Sequence, residues 1–171
     1  MFFCGSFSSE IKREIKRKAK LLSELSGENT RPLSCAHLKH KGGRPPSKYF
    51  ERANNGRLVT DIEHLVHHEL FRGQSRLIGL SEKQNEKSIE TLQENVIEYN
   101  NENNINYKIY EKKYREAQDR WIELYDSNPK SLGFSTKKKN EIVDFLIWSK
   151  EQRNSEEIGA GREKHYGLDV F

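Results

Sequence analysis

Cysteine, proline and long apolar runs are scarce in this 171-residue chain, and each shortage removes a class of protein. Two cysteines, Cys4 and Cys35, cannot build a disulfide framework, and no Cys-x2-Cys pair supplies half of an ordinary structural zinc site. Such usage suits a reducing cytoplasm, and the Asn-, Lys-, Glu- and Ile-rich composition points to a bacterial or phage-infected cell. No apolar stretch reaches the roughly 20 residues that cross a bilayer. The start, Met1-Phe2-Phe3-Cys4-Gly5, lacks the basic opening and extended apolar segment of a secretory signal. The expectation is a soluble chain with no membrane partner. At 33% apolar and 33% charged residues, with mean hydropathy −0.96, it can bury one modest core.

Charge is unevenly placed. Residues 1–60 hold thirteen Lys and Arg against five Glu, whereas the remainder holds seventeen basic against twenty-one acidic residues. Ser8-Ser9-Glu10 can open a helix within a basic segment, 1–30, with Ile11, Ile15, Leu22 and Leu25 on one apolar face. The opposite face carries Lys12, Arg13, Lys16, Arg17, Lys18 and Lys20, dense enough to neutralise several phosphates without reading sequence. A solvated helix docked on the domain, or a membrane-surface helix, has the same composition.

Five of the six histidines, His37, His40, His64, His67 and His68, fall between positions 37 and 68. Pro32 to Leu38 reads as a short strand carrying His37. Asn55-Gly56 is a turn signal, Leu58-Val59 an apolar strand, and Thr60 to Glu63 fits a capping box that opens a helix. On that helix His64 and His68 are four apart, so both imidazoles project from one face and can share a metal ion, while His67 points elsewhere. The order is ββα.

The segment 31–73 resembles the HNH family of nucleases, also called ββα-metal or His-Me finger enzymes, and most closely the DNase domains of colicin type. The resemblance rests on a histidine ending the first strand, Gly42-Gly43 in the connecting loop, then Asn-x8-His-x3-His closing on Arg72-Gly73. It implies an α+β fold, a small ββα-metal core elaborated by several α-helices and predominantly helical overall. It implies hydrolysis of DNA phosphodiester bonds with His37 as general base, Asn55 as its orienting partner, and His64 and His68 as ligands of one divalent metal. Mg2+ is the expected ion, with Mn2+, Ni2+ and Zn2+ as alternatives. One departure stands out: the position before the base, commonly a metal ligand in the family, is Ala36, and Cys35 or His40 could take its place.

An imidazole with an ordinary pKa near neutrality can take a proton from the attacking water, and Asn55 can fix its tautomer through the side-chain amide or the backbone carbonyl. Arg57 or Arg72 suits the phosphate, because a guanidinium matches it bidentately. Arg44, Lys48 and Arg52 lie in the long loop, Lys39 to Asn54, stiffened by Pro45-Pro46. The competing reading is a zinc-stabilised DNA-binding module without catalysis, using His-x3-His with Cys35 and His37 or His40.

The segment 74–153 reads as helical. Ser81 can cap a helix with Ile89, Leu92, Val96 and Tyr99 in 3-4-3 spacing, and Asn100 to Asn104 looks like a break. Tyr107, Tyr110, Tyr114, Ala117, Trp121 and Leu124 form a second stripe ending at Asn128-Pro129, a core or homodimer seam. A final helix starts at Ser135, its first turn carrying Lys137, Lys138 and Lys139, which offer a second phosphate contact. The tail, 154–171, reads as irregular.

Overall fold

The computed structural model describes residues 7–38, 52–70, 85–102, 104–105, 110–127, 134–155 and 163–164. Within them the chain is mostly helical, with a small antiparallel sheet.

Ser8 caps α1 (Ser9–Lys18), its hydroxyl accepting from the Ile11 N–H. The helix is shorter than the apolar spacing predicts. Lys20 and Leu21 both take positive φ, 54° and 59°. The Lys20 and Leu21 N–H groups reach back to the Arg17 and Lys16 carbonyls, the bonding of a Schellman stop. Glycine usually holds the Lys20 position, and a lysine there costs about 1 kcal/mol. The chain therefore turns before Leu22, which stays exposed, and Leu25 joins the other core instead of extending the α1 face.

Strands β1 (Leu33–His37) and β2 (Gly56–Thr60) pair antiparallel, with His37 opposite Gly56 and Leu33 opposite Thr60. Asn55-Gly56 is not a two-residue hairpin turn, a correction to the sequence reading. Asn55 ends a single 3-10 turn, Ala53–Asn55, and Gly56 already belongs to the strand. Side chains alternate across this ribbon. Leu33, Cys35 and Leu58 pack with Phe7 and Ile15 beneath α1, while Ala36 and Val59 enter the larger core on the other face. Glu24 completes the outer edge of β2, its N–H donating to the Leu58 carbonyl and its carboxylate accepting from the Leu58 N–H.

Gly56 is where α1 meets the sheet. A methyl group there would lie 2.3 Å from Ile15 Cδ1 and 3.1 Å from Phe7 Cζ. Gly56→Ala is therefore expected to lower stability by about 1–3 kcal/mol, the usual range for overpacking. Urea unfolding checks this, and the loss should shrink in an Ile15→Ala background, where the clash is relieved.

Helix α2 (Asp61–Leu70) follows β2 directly. The expected capping box is present: Glu63 N–H donates to Thr60 Oγ1 at 3.3 Å, and Thr60 N–H donates to Glu63 Oε1 at 3.2 Å. The buried Glu63 carboxylate also accepts from the Ser23 and Ser26 hydroxyls, tying the chain after α1 to the start of α2. Arg31 forks onto Asp61 at 2.7 and 2.9 Å and lies over the Tyr110 ring.

Helices α3 (Asn85–Glu102), α4 (Glu111–Ser127) and α5 (Thr136–Asn154) close the larger core. α3 runs through Asn100 and Asn101 before a two-residue strand, β3 (Asn104–Ile105), so the expected break falls later. Ser135 caps α5 as predicted. The tail, read as irregular, contributes β4 (Glu163–Lys164), parallel to β3. Tyr114, Ala117 and Trp121 are buried against α2 and α5, so this part of the aromatic stripe serves the core of the chain. No helix among the described residues is long and apolar enough to cross a membrane.

Candidate active site

Because β1 ends at His37 and β2 begins beside Asn55, both predicted catalytic residues sit at the same end of the ribbon. The Leu38 N–H donates to the Asn55 backbone carbonyl at 2.9 Å, which clamps the chain on either side of the site. Both side chains are buried, each 7% exposed. His37 faces α1, its ring stacked on Phe7 with centroids 3.6 Å apart and planes 12° from parallel. One face of the imidazole is thus covered by the Phe7 ring.

On the opposite face of the sheet, α2 presents His64 and His68 one turn apart, with ring centroids 4.9 Å apart. His64 Nδ1 lies 2.7 Å from Ser34 Oγ, a contact from β1 that fixes the ring, so a metal ion, if held, would meet Nε2. Burial, reinforced by nearby His68 and then His37, lowers the His64 pKa from 6.5 to about 3. The imidazole is therefore neutral near neutral pH, the form that could bind a metal. His37, which ends β1, and His68, one turn along α2, are thus both near enough to act on the His64 charge. His67 does point elsewhere: it is buried against Trp121 and Tyr125.

His64 and His68, on one face of α2, are the described residues that could hold an ion together. Among the described residues no group of three or more His, Cys, Asp or Glu side chains is placed to hold an ion. Closed structural zinc sites take four. Cys35 packs on the α1 face with a thiol pKa raised by burial, whereas His64 meets Ser34 on the other face, so Cys35 does not fill the place left by Ala36. His40, Arg44, Lys48 and Arg72 lie outside the described residues.

Arg57 stands opposite Ala36, its guanidinium donating to the Asn54 and Gly56 carbonyls at 3.0 and 2.9 Å. On α1, Arg13, Lys16 and Arg17 are exposed and Lys12 half-buried; Lys12 and Lys16 are close enough to β1 to act on the Cys35 thiol. Lys18 pairs with Glu14. At the start of α5, Lys138 and Lys139 pair with Glu141 and Asp126, so acids within the chain already answer two of the three lysines expected to meet phosphate. Phe7 and Ser34 were not singled out from sequence. Phe7, an apolar residue just before the Ser8 cap, carried a usable signal; Ser34 carried none.

A pH dependence follows for the metal-free protein. The folded-state pKa of His64 lies below its ordinary 6.5, so the unfolded chain takes up the proton first. The stability linked to this group is complete above 6.5 and is lost as pH falls toward about 3. Urea midpoints at about pH 7.5 and about pH 5 should differ less in His64→Gln than in the wild type.

No protein-family model matches the chain, and searches of curated proteins and of solved structures find no match either.

Proposed function

We propose that the protein is a metal-dependent DNA endonuclease of HNH type, acting through a histidine base and one divalent ion. The observation that supports this reading is that His37, at the end of β1, lies near enough to act on the charge of His64, which shares one face of the capped helix α2 with His68. A buried His37 and two part-buried histidines on one helix face are unusual for packing alone, which apolar residues would serve better.

His64 and His68 would hold the ion, Mg2+ or alternatively Mn2+, Ni2+ or Zn2+, which supplies Lewis-acid polarisation of a phosphate oxygen. His37 takes the proton from the attacking water, with Phe7 restraining its ring and the Asn55–Leu38 bond restraining its backbone. Ser34 holds the His64 ring for its role. Arg57, opposite Ala36 and next to the His37 end of the ribbon, would meet the phosphate. The exposed Arg13, Lys16 and Arg17 of α1, with Lys12 beside them, extend a positive surface from the site, suited to the backbone of a duplex.

A labelled DNA duplex and the RNA of the same sequence, each incubated with Mg2+ and with EDTA, test the reading. Cutting of DNA that needs the divalent ion is expected, with cleavage falling steeply as salt rises. RNA cut in preference to DNA would replace the substrate class, and binding without cutting would favour the non-catalytic module.

A further inference from the structure

We propose that Tyr125, deep in α4, is a positioning residue that sets the base His37 against the metal-binding face of α2. The inference rests on the nuclease reading above. The Tyr125 hydroxyl donates to the Leu38 carbonyl, on the residue directly after His37, at 2.8 Å. That hydroxyl has one proton, so His67 Nε2, 2.9 Å from the same oxygen, is the donor to it. A single buried oxygen therefore joins the strand end that carries the base to the helix residue that sits between His64 and His68.

The tie has a second point of support one turn earlier in α4. Trp121 Nε1 donates to the Glu63 carbonyl at 2.7 Å, and the Trp121 ring lies 4.3 Å from that of His67. Two hydrogen bonds thus tie α4 to α2, Trp121 to Glu63 and His67 to Tyr125, and a third, from Tyr125 to Leu38, reaches the end of β1. Burial raises the Tyr125 pKa, so the hydroxyl keeps its proton and stays a donor. None of these groups needs to touch substrate. Their effect is on distance, and a displacement of about 1 Å between a base and its reacting partner can cost about 100-fold in rate.

Tyr125→Phe keeps the ring and removes the oxygen. Cleavage of duplex DNA by the full chain would be measured as kcat and KM, with divalent-ion affinity by calorimetry and Tm by thermal unfolding. Ser149→Ala serves as the control, since it removes another buried tertiary bond, from Ser149 Oγ to the Leu70 carbonyl at 2.8 Å. The expected result is a fall in kcat of about tenfold or more with KM little changed, against a Ser149→Ala enzyme that loses Tm but not kcat. A Tyr125→Phe kcat equal to that of the wild type, or lowered no further than in Ser149→Ala, overturns the role. Should Tyr125→Phe not fold, His67→Leu removes the donor to the hydroxyl; the same kcat loss supports the role and an unchanged kcat overturns it. Wild-type protein that cuts and depends on His37, beside a fully active Tyr125→Phe, removes this role alone. Wild-type protein that does not cut removes the nuclease reading and this role together.

Discussion

His37→Ala is expected to slow cleavage by about 10²–10⁴-fold, the usual contribution of a general base, while leaving DNA affinity and divalent-ion affinity near those of the wild type. The separation follows from geometry. His37 ends β1 on the α1 face and stacks on Phe7, whereas His64 is held by Ser34 on the other face of the sheet and the basic residues lie on α1. On the proposed reading, removing the imidazole would take away the proton acceptor and leave the proposed ligands His64 and His68 and the α1 basic residues in place. Single-turnover rates on a short duplex, with fluorescence anisotropy for binding, separate the two quantities. A variant that binds DNA poorly and cuts in proportion would assign His37 to binding instead.

The largest effect on stability is expected at Arg153. Its guanidinium lies 2.5 Å from the Glu69 carboxylate, with both side chains only 3% exposed, and also donates to the Glu69 backbone carbonyl at 2.9 Å. Removing one member of a buried ion pair leaves a desolvated charge behind, so Arg153→Met should cost about 3–5 kcal/mol. Replacing both partners, as in Glu69→Met with Arg153→Met, should recover most of that loss, because two apolar groups carry no desolvation penalty. Urea unfolding of the two single variants and the double variant measures this directly. Glu69 adjoins His68 near the end of α2, so divalent-ion affinity should weaken in the single variant and return in the double.

These two sites also show what the sequence could and could not disclose. The places of His37, His64 and His68 were legible because they follow from local pattern, a strand end and one face of a capped helix, whereas the Asn55-Gly56 turn was misread. The Thr60–Glu63 box and the Ser8 and Ser135 caps were legible for the same reason, since each is a local contact between neighbours in the chain. The Arg153–Glu69 pair spans 84 positions, and in sequence both residues look like solvated helix surface. Tyr125 was hidden differently. It lies four residues after Trp121 and beside Leu124, so the apolar stripe could be drawn through either, and only tertiary packing chose Tyr125 as the fully buried one. The end of α1 was misread because apolar spacing continued past a stop that a lysine, not a glycine, occupies.

The most direct test of the account treats supercoiled plasmid with purified wild-type protein and with His64→Ala, each in Mg2+ and in EDTA, and separates intact, nicked and linear forms. The account predicts nicked or linear product from the wild type in Mg2+ alone, and little or none from His64→Ala. Cutting that persists in EDTA or in His64→Ala, or no cutting by the wild type with any divalent ion, would contradict it.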